Sequence, residues 1–251
     1  MKVIYHKDFD MSYCSDPAAA FGRIEAVYSV IRERVTMINA VPAAEADIDA
    51  VHTRTHVEMV RREGIYDIAA LAAGGAIQAA TIGLKEPCFA LIRPPGHHAS
   101  AGSSWGFCYF NNMAIALEKL KREGLISSAL VLDFDLHFGD GTVNILGPKG
   151  YVNIYNPSAA GRGDYLKGVR SFLEGNRADI IGISAGFDNH VEDWGGLLHT
   201  ADYREMGLMV REAAARNNGG CFAILEGGYN HRVLGQNVLS LIDGMEGAGG
   251  T

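Results

Sequence analysis

The sequence predicts an α/β fold, a central parallel β-sheet flanked by helices on both faces. Short apolar runs alternate along the chain with longer segments of helical periodicity, the pattern of a parallel sheet covered by helices. No internal repeat, low-complexity linker or charge block interrupts it, so residues 1–251 read as one domain of a size common among α/β proteins. Hydrophobic residues make up 48% of the chain and charged residues 20%, enough to fill a large core.

In chain order, Val3–Tyr5 is the first strand and 22–36 the first helix. A helix over 48–62 follows, with Asp47 placed before Ile48-Asp49-Ala50-Val51 as an N-cap. The Ala-rich segment 65–83 reads as a helix although Gly74-Gly75 interrupts it. Cys88–Ile92 is a strand, and Asn111 caps a helix over 111–123. Strands Ala129–Asp133, Tyr151–Tyr155 and Ile180–Ser184 come next. A helix over 202–217, a strand at Cys221–Leu225 and a helix over 231–243 complete the series, and the glycine-rich tail 244–251 reads as frayed.

Composition narrows the function. A formal net charge of −7 argues against nucleic acid as a partner and suits a cationic ligand. No run approaches the roughly 18 apolar residues of a membrane span, and Met1–His6 lacks the apolar stretch of a signal peptide. A cytoplasmic location is the expectation. The cysteines (Cys14, Cys88, Cys108 and Cys221) are scattered without a CxxC pair, which argues against a disulfide framework; Cys88 and Cys221 read as core residues.

Four polar clusters stand just beyond the carboxyl ends of four strands. Arg93-Pro94-Pro95-Gly96-His97-His98 follows Ile92, Asp135 and His137 follow Val131, Asp188 follows Ser184, and Glu226-Gly227-Gly228-Tyr229 follows Leu225. Open α/β sheets place their ligand sites at that edge. In Leu132-Asp133-Phe134-Asp135-Leu136-His137, an extended backbone would aim the two acids and the histidine one way. Buried carboxylates need partners or a metal, so this triplet alone reads either as a salt bridge at a strand end or as a metal site. Asp135, His137 and Asp188 together make a three-ligand set that leaves positions open, the arrangement of catalytic zinc.

His97 and His98 lie in a loop that Pro94-Pro95-Gly96 keeps out of regular structure, so the two rings can do different jobs. A histidine beside a metal can accept a proton from water and pass it to a leaving group, and it needs a carboxylate behind its other ring nitrogen. Asp133 and Asp140 are the acids available for that. A phenol at Tyr229, brought close by two glycines, can donate to a developing oxyanion.

Five segments, in order, resemble the zinc-dependent histone deacetylase and acetylpolyamine amidohydrolase superfamily. They are Arg93–Ala99, Gly106-Phe107-Cys108-Tyr109-Phe110-Asn111-Asn112, Asp133–His137, Ser184–Asp188 and Glu226–Tyr229, spread over about residues 90–245. Their wording is nearest the class II and bacterial acetylpolyamine branch. The resemblance implies an arginase/deacetylase-like domain with one catalytic Zn2+ on Asp135, His137 and Asp188. It makes His98 the proton shuttle backed by Asp140, His97 its electrostatic partner backed by Asp133, and Tyr229 the carbonyl-polarising donor. Gly106 and Phe107 would line a narrow tunnel for an aliphatic amine stem. A structural K+ would be held by oxygens of Asp133, Asp135 and His137.

The chain departs from that pattern in three places. Phe138 stands where relatives usually carry a second histidine. Asp193-Trp194-Gly195-Gly196 is one residue shorter than the usual run, which puts Trp194 either at the mouth against substrate or on the surface. Only Asp8–Phe21, with Met11, Tyr13 and Cys14, is available to form the amino-terminal rim, leaving the rim open or completed by another subunit of a homo-oligomer. The leading expectation is a zinc-dependent amidohydrolase acting on a small acylated amine or acyl-lysine. Its competitors are a binuclear manganese ureohydrolase and a zinc-binding interaction protein without activity.

Overall fold

The computed structural model describes residues 1–247. Seven strands, β1 Lys2–Tyr5, β2 Thr36–Asn39, β3 Cys88–Ala90, β4 Ala129–Asp133, β5 Val152–Tyr155, β6 Ile180–Ala185 and β7 Gly220–Leu225, form one sheet. Its order is β2-β1-β3-β7-β6-β4-β5 and every pairing is parallel. Every residue of β3, β4, β6 and β7 is buried, as expected of parallel strands with both faces covered. One layer packs α4 (Tyr66–Gly83) against α5 (Asn112–Arg122), joined by α2 (Glu45–Asp49), α3 (Arg54–Arg62) and α6 (Asp140–Leu146). The other packs α1 (Arg23–Ile31), α7 (Arg162–Gly175), α8 (Thr200–Arg216) and α9 (His231–Glu246).

The expected strands are present with small changes at their ends, and Asn111 caps α5 by accepting the Ala114 amide at 2.8 Å. Gly74 and Gly75 do not interrupt α4. A Cβ at Gly74 would overlap the backbone of Val41–Ala43, and one at Gly75 would come 2.8 Å from Ile92, so these glycines let the helix seat closely.

Other expectations need correction. The segment 22–36 leaves the helical state after Ile31 and continues into edge strand β2, whose half-exposed Thr-Met-Ile-Asn carries no clear alternation. The segment 48–62 is two helices: Thr53 accepts the His56 amide to start the second, and Asp47 lies inside the first, paired with Arg122 at 2.6 Å and Lys119 at 3.3 Å instead of capping it. Two α-helices among the described residues, α6 and α7, lie in segments whose sequence carries no clear helical pattern. In α7, three glycines dilute a buried stripe of Tyr165, Leu166, Val169 and Leu173; α6 is only seven residues long. At the carboxyl end, α9 runs through Glu246, which pairs with the amino group of Met1, so 244–246 are helical and not frayed; 248–251 lie outside the described residues. All four cysteines are free. Among the described residues no helix is long and apolar enough to cross a membrane.

The sheet order has a consequence for chemistry. β3, β7, β6 and β4 are neighbours, so their four polar carboxyl-terminal loops lie side by side at one edge.

Candidate active site

Strand β4 ends at Asp133, and Phe134 to His137 turn away from it, so the alternating acids and histidine do not share one extended strand. The bend gives the three groups separate partners. Asp133 Oδ2 lies 3.1 Å from His97 Nδ1. Asp135 Oδ2 accepts the Gly227 amide at 2.8 Å, and its Oδ1 faces His137 Nδ1 at 3.2 Å. His137 Nδ1 also lies 3.0 Å from Asp188 Oδ2, while Asp188 Oδ1 takes the Leu136 amide at 3.0 Å. One donor atom each from Asp135, His137 and Asp188 fits within 4.8 Å of the others.

These residues fit a divalent metal. Asp188 Oδ2 is buried with no hydrogen-bond donor aligned on it, a costly state for a carboxylate oxygen unless a cation lies beside it. A Cβ at Gly227 would come 2.5 Å from Asp135 Oδ2 and 2.8 Å from Asp188 Oδ2, so only glycine keeps the space beside both oxygens open. The electrostatics agree. Hydrogen bonds to Asp135 and Asp188 push the His137 imidazole up to about 10. Burial and the Asp135 charge raise Asp188 to about 6. Burial alone would raise Asp135 too, but His97, His137 and the Gly227 amide hold it well below the usual carboxylate range. Two acids and an imidazole closed around one point select positive charge.

The histidine loop hangs between β3 and its neighbours. Glu226, at the end of β7, accepts the Gly96 amide at 2.7 Å and the His97 amide at 3.3 Å. His98 Nδ1 lies 2.7 Å from Asp140 Oδ1, at the first turn of α6. The His97 and His98 rings are 4.0 Å apart, yet their environments differ. Burial opposes charge on His97, but Asp135 and Asp133 outweigh it and hold that ring well above the usual histidine value. Burial and the neighbouring His97 lower His98 to about 4. The two environments thus favour the charged form of His97 and the neutral form of His98.

Tyr229 closes the opposite side. Its amide and that of Asn230 both donate to Asp193 Oδ2 at 2.8 Å, and Arg23 holds the same loop from below through the Gly228 carbonyl at 2.8 Å and the Glu226 carbonyl. Its ring stacks on Trp194 at 4.1 Å and meets Phe107 edge-on at 5.9 Å. Burial pushes the phenol well above its ordinary value, so it stays a hydrogen-bond donor. His97, His98, Gly106, Phe107, His137, Trp194 and Tyr229 all line one narrow cavity of about 120 Å³. Asp133, Asp135, Asp140 and Asp188 do not line it but contact the ring nitrogens of the histidines that do.

Trp194 is half-exposed at the mouth, its ring centroid 6.0 Å from that of His137. Met11, Tyr13 and Cys14 are not among the lining residues. Tyr13 packs edge-on against Tyr109, and the Ala18 and Ala20 carbonyls of the same segment accept from buried Arg93. Trp105, Asp193, Glu226 and Arg23 also hold these loops, and the motifs alone give none of them a role. Only Glu226, a lone acid ending the apolar run Cys221–Leu225, offered a signal of its own.

A parallel α/β sheet with a candidate carboxylate–histidine metal site beside a histidine pair is an arrangement found in metallohydrolases. The histone deacetylase domain matches residues 61–156 and 146–245. A "Probable deacetylase" of Methanothermobacter thermautotrophicus is 30% identical, over 98% of this chain and 91% of its own length. A "Histone deacetylase-like amidohydrolase" of Pseudomonas aeruginosa is 29% identical, over 87% and 73%. The crystal structure of the HDA15 HD domain is similar with a TM-score of 0.85 and 25% identity, covering all of this chain and 90% of that one. The chain belongs to the histone deacetylase family, as a deacetylase-type amidohydrolase.

Proposed function

We propose that the protein hydrolyses an acylated primary amine, an acetylated polyamine or acetyl-lysine in the simplest case, to a carboxylate and the free amine. The observation that carries this reading is that His137 of the Asp135–His137–Asp188 donor set, the His97–His98 pair and Tyr229 all line one cavity. Zinc held by Asp135, His137 and Asp188 would polarise the acyl carbonyl and acidify a water molecule.

His98 is held at Nδ1 by Asp140, which leaves Nε2 as the acceptor. It takes the proton lost when water adds to the acyl carbon, and returns it to the amine nitrogen as the C–N bond breaks. His97, charged and backed by Asp133, offsets the negative charge of the acids behind it. The Tyr229 hydroxyl donates to the carbonyl oxygen as charge develops there. Phe107, Trp194 and Tyr229 offer aromatic surface to an alkyl stem, and aromatic faces at the mouth suit a substrate that is cationic beyond it. We assign to oxygens of Asp133, Asp135 and His137 a structural K+ as well, which elemental analysis after exhaustive dialysis against sodium would detect.

The test is a panel of acetylputrescine, acetylspermidine, acetyl-lysine peptides and longer acyl-lysines, offered to zinc-loaded protein. Carboxylate release from one class, abolished by chelator and restored by zinc, is the expected result. Two manganese ions per chain, with urea as product from a guanidino substrate, would overturn the reading, as would inactivity across the panel.

A further inference from the structure

We propose that Trp105 is a positioning residue for the His98–Asp140 pair, holding the imidazole so that Nε2 faces the cavity. The inference rests on the reading of His98 as the proton carrier.

The two oxygens of Asp140 are divided between two donors. Oδ1 meets His98 Nδ1 at 2.7 Å, and Oδ2 accepts the Trp105 indole N–H at 3.0 Å. With both oxygens engaged, the carboxylate cannot rotate without losing a charge-assisted hydrogen bond. Asp140 needs such a restraint, because its side chain is about one-third exposed and water would otherwise compete for Oδ2. The indole also covers His98 directly. Its ring centroid lies 3.8 Å from that of His98, inclined by 31°, and the His97 ring lies 4.0 Å away. His98 is thus packed by two rings while Asp140 fixes Nδ1, leaving Nε2 as its free nitrogen.

The backbone is shaped for this placement. Gly106 has φ +58, and a Cβ there would overlap the His98 ring. Phe107 follows at φ +66, a conformation uncommon for a residue with a side chain. These two left-handed residues turn the loop so that Trp105 lies on His98 while Phe107 meets Tyr229. Trp105 itself remains 56% exposed. The indole also lines the cavity, but its N–H is engaged by Asp140 and is not free to bond a substrate.

The experiment uses the zinc-loaded 251-residue protein with Trp105→Phe, which keeps a ring but removes the N–H, and Trp105→Leu, which removes both. Trp105 is largely outside the core, so both variants are expected to melt near the wild type. Loss of a group that orients a site residue typically costs 10–100-fold. Trp105→Phe should therefore lower kcat about tenfold with KM little changed, and Trp105→Leu should lower it further. In an Asp140→Asn background, Trp105→Phe should have no further effect, since it acts through that carboxylate. Independently of turnover, 1H–15N spectra of the histidine side chains should show a single His98 tautomer in the wild type and exchange-broadened signals in both variants. A raised KM with unchanged kcat, equal losses in both backgrounds, or unaltered His98 spectra would overturn the proposal. Inactivity of the wild type on every acylated amine would instead defeat the functional reading, and the spectra would still decide the role of Trp105.

Discussion

Glu226 accepts the Gly96 backbone amide at 2.7 Å, so the loop carrying His97 and His98 is suspended from the end of the adjacent strand. The carboxylate is fully buried, and burial raises it to about 7 despite the nearby His97. It reaches neither the cavity nor the Asp135–His137–Asp188 donor set, and it sets where both histidines stand.

Replacing Glu226 separates hydrogen bonding from charge. Glu226→Gln keeps an oxygen for the Gly96 amide and should stay within a few-fold of wild-type kcat. Glu226→Ala leaves two buried amides without an acceptor and should cost on the order of 2 kcal/mol or more, with kcat lowered more than tenfold as the histidine loop shifts. Urea unfolding and steady-state kinetics on the two variants check both statements.

Tyr229→Phe removes one donor and leaves the Trp194 stack and the backbone anchors to Asp193. It should lose on the order of 100-fold or more in kcat while binding zinc as the wild type does. Zinc content by elemental analysis, measured on the same preparation as turnover, distinguishes a lost donor from a lost metal.

Asp188→Ala takes away the acid whose buried oxygen has no aligned donor. Zinc added to chelated wild-type protein should raise the melting temperature, because an ion that binds only the folded state stabilises it. The rise should be much smaller in Asp188→Ala. Equal rises in the two proteins would place the ion elsewhere.

His52 makes stability sensitive to acid. It is buried, with Nδ1 at the Ser100 carbonyl (3.1 Å) and Nε2 accepting the Asn111 amide (2.9 Å). Burial first, and neighbouring His56 second, lower it to about 4. The unfolded chain binds this proton near pH 6.5 whereas the fold resists it until about 4. Stability therefore falls as pH drops through that window, by up to about 3 kcal/mol. Urea midpoints at pH 7 and pH 5 should differ more for the wild type than for His52→Gln, which starts less stable but takes up no proton.

How much of this was legible in the sequence varies with the range of the forces involved. Strands β3, β4, β6 and β7 are continuous apolar runs ended by polar residues, so both their existence and their chemistry-bearing ends could be read locally. Edge strand β2, half-exposed, and α7, interrupted by glycines, carry weak local patterns and form because neighbours cover them. Trp105 illustrates the same limit at the site. Nothing in Ser104-Trp105-Gly106 indicates that the indole will lie over a histidine seven residues earlier and bond an acid thirty-five residues later.

By itself the sequence determined the α/β class, the family and the residue types of the site, because hydrophobic period and motif order are written along the chain. Tertiary structure decided what those residues touch. The sheet order made β3, β7, β6 and β4 neighbours, and the bend after Asp133 sent that acid to His97 while Asp135 turned toward His137. Pairings between distant loops are settled by packing and by the need to satisfy every buried charge, and neither is visible until the chain has closed around them.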